Sequence, residues 1–337
     1  MEKAKKIRIL LSIFLIFIIL ILGLLVVIGS YMTDVSIKRE SNSMSSIRKT
    51  LAVHTDEEQK KSEEKANTLE KKVREEADIF LDKLKKQSPE LISQESITAY
   101  DGIKLNAYSF KQRGQTDKWA VIVHGYHGKA LNNSYFIKEY YSKGFNVLAM
   151  DMRVHGLSEG QWIGMGCTDR YDLISWLNKI IEWNSKAKII MHGFSMGAAS
   201  IMMASGENDF PSQVKVCIED AGYSSDWGEM ASKLKSIYKL PAFPFLHAAN
   251  IMTKVKAGYY ISEGNCIKSM QKNTTPYVFI HGEADDFNPY PMLQEVYDAC
   301  TAEKVKVSVP RARHCMSAYV DPETYWQTIW AFIDEHL

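Results

Sequence analysis

Gly193-Phe194-Ser195-Met196-Gly197 fits the pattern G-x-S-x-G, in which a serine stands between glycines that let backbone segments approach without a Cβ clash. The run KIIMHG before it reads as a strand, and the Gly/Ala/Ser-rich text SMGAAS after it reads as a helix. A tight turn between two such elements lifts the hydroxyl to the carboxyl edge of a sheet. A serine hydroxyl is a poor nucleophile until a base takes its proton, and the base needs a carboxylate to hold its ring tautomer. Asp285 follows the strand-like run PYVFIHG, and His314 follows KVKVSVP, so both project from the edge that carries Ser195. Of the two histidines beyond Asp285, His336 falls at the end of the last helix, which leaves His314 as the base. Asp286 and, from an earlier strand, Asp220 are the rival carboxylates. Such a set implies nucleophilic acyl transfer, whose tetrahedral oxyanion needs two fixed N–H donors. The amide of Met196 is one, and the amide of Tyr126, in the loop His124-Gly125-Tyr126-His127-Gly128, is the other. His124 and His127 lie three apart, but they have no acidic partner at ligand spacing and no HExxH, so neither a metal nor a cofactor is expected. His155 and His192 read as structural.

The elements that must position these residues alternate along the chain. ITAYDGIKLNAYSF reads as a hairpin turned at Asp101-Gly102; the apolar runs WAVIVHG, FNVLAMD, KIIMHG, VKVCIED, PYVFIHG and KVKVSVP then alternate with helical stretches, the last over about 322–336. That rhythm implies an α/β domain over residues 91–337 with a mostly parallel sheet and helices on both faces. Between about 223 and 260 the strand rhythm gives way to an aromatic-rich helical insertion, placed where a lid would cover the site.

With 41 Lys+Arg against 40 Asp+Glu, the net charge of +1 argues against a nucleic-acid partner held by bulk electrostatics. Ile9–Ile28 is a 20-residue run broken only by Ser12 and Gly23, enough for a helix of about 30 Å, the thickness of a bilayer core. It is longer than a signal-peptide core and lacks a clear cleavage site, so residues 1–29 read as a cytoplasmic tip and an uncleaved anchor. Lys3, Lys5, Lys6 and Arg8 precede the run and only Lys38 and Arg39 follow closely, which puts the N-terminus in the cytoplasm and the domain outside. Residues 30–55, Ser-rich and aperiodic, read as a flexible tether. Residues 56–90 read as a charged amphipathic helix: Ala66, Leu69, Val73, Ala77, Phe80, Leu81 and Leu84 form one stripe, suited to docking on the domain or to pairing as a stalk. Five cysteines without C-x-x-C or zinc spacing give no readable disulfide framework.

Taken together, VIVHGYHG, DMRVHGLSEG, HGFSMG, EDAGYSS, HGEADDFNP and RHCMSAYVDPETYW resemble, in order, the motifs of the α/β-hydrolase superfamily, in particular bacterial, often membrane-anchored serine hydrolases with a helical lid. The resemblance spans roughly residues 60–337 and implies Ser195 as nucleophile, Asp285 as acid, His314 as base, and an oxyanion hole at Tyr126 and Met196. It implies a carboxylesterase-like enzyme acting on a small-molecule or lipid-like acyl substrate, with a rate that rises as His314 loses its proton, near or below about pH 6.5. An amidase or peptidase using the same residues and a silent membrane-anchored scaffold are the alternatives. Val154 stands where such segments usually carry glycine, Asn288 where an apolar residue is expected, and Arg311 and Arg313 crowd the approach to His314. Those arginines would select an acidic substrate or cover the surface, and nearby cations would lower the histidine's pKa.

Overall fold

The computed structural model describes residues 2–39 and 57–337. Eight strands form one sheet: β1 (Ile92–Thr98), β2 (Lys104–Phe110), β3 (Lys118–Val123), β4 (Asn146–Asp151), β5 (Lys188–Phe194), β6 (Val214–Asp220), β7 (Tyr277–Gly282) and β8 (Lys304–Val309). Their spatial order is β1-β2-β4-β3-β5-β6-β7-β8, and β2 alone runs antiparallel to its neighbours. The hairpin expected at Asp101-Gly102 joins β1 to β2, with Gly102 at φ 87°. The central strands β3, β4 and β5 are buried along nearly their whole length, because helices cover both faces and no solvent side calls for alternation.

Two apolar layers flank the sheet. One gathers Leu105, Val121, Leu148, Met191 and Phe279 with helices α4 (Asp169–Trp183) and α5 (Met196–Ser205). The other gathers Ile122, Val147, Ile190, Ile218 and Val278 with helix α3 (Ser134–Ser142) and the last helix of the chain, Pro322–His336. Arg153, after β4, is buried and forks onto Asp172 at 2.8 Å with Nε and Nη2, while its Nη1 reaches Asp101 at 2.9 Å, a bidentate geometry that compensates burial of the charge. Val154 keeps the left-handed backbone that glycine would favour, at φ 73°; for a β-branched residue this strain is on the order of 1–3 kcal/mol, and the buried side chain packs in the first apolar layer.

Among the described residues, two α-helices precede the domain. The first, α1 (Glu2–Ile37), exposes most of its apolar side chains between Ile9 and Val27 and is long and apolar enough to cross a membrane. It does not stop where the apolar run stops. The tether expected to begin at residue 30 is helical through Ile37 and packs on helix α7 (Phe245–Ala257) of the insertion, where a Cβ on Gly29 would lie 2.6 Å from the Ala248 carbonyl. Thr33 Oγ1 is 3.2 Å from Thr253 Oγ1, Lys256 pairs with Asp34 at 2.7 Å, and the Ile163 amide bonds the Ile37 carbonyl at 2.8 Å. The small residues Gly29 and Thr33, one turn apart, allow this approach; without the partner in view they read only as a loss of periodicity. The rest of the expected tether, residues 40–55, lies outside the described residues.

The second helix, α2 (Glu57–Gln87), docks on the domain with the stripe read from sequence. Ala66 and Ala77 are buried in the second apolar layer, with Val73, Leu81 and Leu84 packed against it. In the insertion, α6 (Asp226–Tyr238) and α7 close over the carboxyl edge of the sheet around Leu234, Leu246, Ala249 and Ile261. Among the described residues no disulfide joins the five cysteines, and Cys167, Cys217, Cys266 and Cys300 are buried.

Candidate active site

Ser195 is the single residue between β5 and α5, with φ 54° and ψ −116°, a strained conformation for a residue with a Cβ. Two close approaches hold it there. A Cβ on Gly193 would lie 2.7 Å from the Gly197 carbonyl, and one on Gly197 would lie 2.3 Å from the Val123 carbonyl oxygen, so α5 presses against the end of β3 only because both positions are glycine. The Ser195 amide bonds the Asp220 carbonyl at 2.8 Å, which ties the turn to β6.

The structure brings Ser195, His314 and Asp285 together. His314 Nε2 lies 2.9 Å from Ser195 Oγ, and its Nδ1 lies 2.8 Å from Asp285 Oδ2. With Nδ1–H donating to the carboxylate, Nε2 is the lone-pair nitrogen that faces the serine hydroxyl. Asp285 Oδ1 accepts the amides of Phe287 at 2.9 Å and Asn288 at 2.8 Å, and Oδ2 also faces His281 Nε2 at 3.2 Å. Burial alone would raise the pKa of Asp285; the neighbouring His314 and His281 outweigh it and hold the carboxyl well below the usual range. His281 shows the complement. Burial would lower its pKa, but the Asp285 carboxylate, with smaller contributions from Glu219 and the Asn288 carbonyl, raises it to about 9.

The rival carboxylates are engaged elsewhere. Asp286 pairs with Arg313, and Asp220 accepts the Tyr325 hydroxyl at 2.8 Å. Arg313 also reaches Glu63 and Arg311 pairs with Glu58, both on α2, so each of the arginines read as selecting an acidic substrate or covering the surface faces an acidic partner. These contacts join α2 to the loop that carries the histidine. Asn288, the departure from the expected apolar residue, donates its side-chain Nδ2 to the Ala221 carbonyl at 2.7 Å, and its backbone carbonyl accepts from His281 Nε2 at 2.9 Å, bracing the Asp285 loop. Sequence reading missed His281, whose only signal was its place before Asp285 in HGEADDFNP, and singled out Asn288 as a departure without reading its bracing role.

The loop after β3 runs close beside the serine. A Cβ on Gly125 would sit 3.2 Å from Ser195 Cβ, and Tyr126 and Met196 line one pocket with Ser195. His124 and His155 are buried in a hydrogen-bonded pair of turns: His124 Nε2 accepts the Met152 amide at 3.0 Å and His155 Nε2 accepts the His127 amide at 3.0 Å. His192 lies buried between the hydroxyls of Tyr140 and Tyr325, at 3.0 and 2.9 Å. Among the described residues no three His, Cys, Asp or Glu side chains are grouped as a metal would require.

Two pockets meet at Ser195. One is apolar and lies under the insertion, lined among others by Tyr223, Met230, Leu234, Leu246 and Phe287; the end of α1, with Met32, Thr33, Val35, Ser36 and Ile37, forms a further wall. The other is more polar and lies on the His314 side, lined by His127, Asn132, Phe194 and Tyr319 and by Glu70 and Arg74 of α2.

A mostly parallel eight-stranded sheet with β2 reversed, and a serine on the strained β5–α5 turn facing histidine and aspartate from later loops, define a class of fold: the chain has the α/β-hydrolase fold. Residues 114–234, which include Ser195 but neither Asp285 nor His314, match the family model described as serine aminopeptidase, S33. The chain is 27% identical over 240 residues to the protein YqkD of Bacillus subtilis, covering 68% of this chain and 77% of that one, and 26% identical over 239 residues to YfhR of Escherichia coli strain K12, covering 67% and 75%. Among solved structures it is similar to the esterase Pf2001 of Pyrococcus furiosus, with a TM-score of 0.59, 23% identity and coverage of 73% of this chain and 92% of that one.

Proposed function

We propose that the protein is a membrane-anchored serine hydrolase that cleaves a carboxylic ester or related acyl bond through an acyl-Ser195 intermediate. The observation that carries this reading is the hydrogen-bonded chain from Ser195 Oγ through His314 to Asp285, set where two pockets meet. In this reading His314 Nε2 takes the hydroxyl proton as Oγ attacks the acyl carbon, and the amides of Tyr126 and Met196 receive the negative oxygen. His314 then gives that proton to the departing alkoxide as the acyl–oxygen bond breaks, and water repeats the sequence to free the acid. Asp285, held ionised by His281, His314 and two backbone amides, fixes the ring and stabilises the imidazolium as it forms.

The anchor is retained in this reading because the end of α1 is built into the domain, with Gly29, Thr33 and Ile37 buried. Cleavage near the end of the apolar run would detach a pocket wall from its support. The basic residues before the apolar run support an N-terminus in the cytoplasm, with the domain outside.

Incubating the full chain, in detergent micelles, with a fluorophosphonate and measuring intact mass tests the nucleophile. One adduct on the wild type, none on Ser195→Ala, and labelling slowed at least a hundredfold on His314→Ala are expected. A folded wild type that stays unlabelled sinks the reading. The family model's description, a serine aminopeptidase, favours amide cleavage as the second reading. Matched ester and anilide substrates of one acyl group separate the two by their kcat/KM ratio.

A further inference from the structure

The apolar pocket beside Ser195 is closed on one side by Met32, Thr33, Val35, Ser36 and Ile37, and these residues belong to the helix that carries the membrane-spanning run. Three further contacts tie the same turns to the reaction centre and to the insertion. The Tyr126 hydroxyl bonds the Ser36 carbonyl, so the loop expected to supply an oxyanion amide is fastened to α1. Gly29 and Thr33 seat α1 on α7, whose first turn, beside Ala248, turns Leu246 into the same pocket. Gly29 lies at Ala248 and Thr33 near Thr253, so the two helices run alongside in the same direction. The end of α7 nearest the apolar run of α1 is therefore its N-terminus, and the segment just before it exposes Tyr238, Leu240 and Phe243, the last 71% accessible. An apolar edge beside a membrane-crossing helix belongs in the same hydrocarbon or its interface.

We propose that the last two turns of α1 are a substrate-binding element: they form the wall of an acyl pocket whose occupant is the hydrocarbon chain of a lipid-like ester, entering from the bilayer beside the α6–α7 edge, and their side chains set the chain length accepted. This rests on the serine-hydrolase reading for the reaction but not for the binding. The pocket is lined almost wholly by carbon, with the Glu229–Lys233 pair, 3.2 Å apart, as its charged feature, which suits an alkyl chain and not a peptide.

The test uses the full chain in micelles and compares kcat/KM for p-nitrophenyl laurate and butyrate. Val35→Trp, which fills the pocket from the α1 side, should lower the laurate-to-butyrate ratio at least tenfold. Met32→Ala, which removes volume, should raise the ratio of palmitate to laurate at least threefold. Val27→Trp, on the lipid-facing part of α1, should leave all ratios within twofold. Unchanged ratios in both pocket variants overturn the proposal, as does an equal change in all three proteins. Native mass spectrometry of the Ser195→Ala chain with lauric acid reads binding without turnover. A bound laurate that Val35→Trp weakens at least tenfold supports the pocket even if the wild type hydrolyses nothing, and laurate bound equally by both, or by neither, overturns it.

Discussion

Asp285 is held by four polar contacts at two oxygens, and His281 is the one of them that brings a second buried imidazole to the carboxylate. A hydrogen bond to a charged group contributes about 1.5–3 kcal/mol. His281→Gln keeps a donor of similar reach but removes the charge that helps keep Asp285 ionised. The expected outcome is a loss of about 2 kcal/mol in unfolding free energy and about a tenfold lower kcat with little change in KM, since the residue reaches the reaction through Asp285 and touches no pocket. Esterase kinetics beside a thermal melt check this, and an unchanged kcat would show that the two backbone amides and His314 suffice to hold the carboxylate.

At the scale of elements, much of the molecule was legible and the misses share one cause. The strands and the strained serine turn could be read because their signals are local: apolar runs bounded by Gly, and a Gly-x-Ser-x-Gly carried whole by five consecutive residues, although Gly197 answers to Val123 of β3. The end of α1 was read as tether because its signal is a fit to a partner more than 200 residues away, Gly29 and Thr33 against α7. The docking of α2 was legible as a stripe, but not that Glu58 and Glu63 would neutralise the arginines beside His314. The stripe makes a sharp prediction. Ala77 is fully buried and Ile79, two residues on, is 68% accessible. Ala77→Glu would bury an unpaired carboxylate and should lower stability by about 3–5 kcal/mol, with faster proteolysis within α2, whereas Ile79→Glu should shift the melt by less than a degree or two. Equal melts for the two variants would mean that α2 does not depend on this face for its docking.

For the whole molecule, the buried titrating groups set how stability varies with pH, which rises with pH wherever the unfolded chain binds more protons than the folded one. Burial depresses His124 to about 4, His192 to about 3 and, with the neighbouring His124, His155 to about 3, so from those values to about 6.5 these three make stability rise with pH. Burial also raises Asp172, Glu219, Asp220 and Glu229 to about 7; their folded forms keep protons that the unfolded chain has lost above about 4, and over that window they make stability fall. The two sets oppose one another below about 6.5, and Asp285, depressed, adds stability that is lost only as pH falls through the acid range. Above about pH 7 the last protons leave these four carboxylates, Asp226, raised further by burial, keeps its own longer, and His281 adds a contribution of the same sign. Its folded value of about 9 exceeds the unfolded value of about 6.5, so its stabilisation is complete below about 6.5 and is lost as pH rises toward 9. The melting temperature of the full chain should therefore decline by a few degrees between about pH 7 and 8.5, before the buried thiols, also raised by burial, add a loss of the same sign. In His281→Gln the decline over the same interval should be shallower by the share that His281 carries. A wild type already flat there, or a variant that declines in parallel with it, would place the proton elsewhere and remove His281 as the charge that holds Asp285.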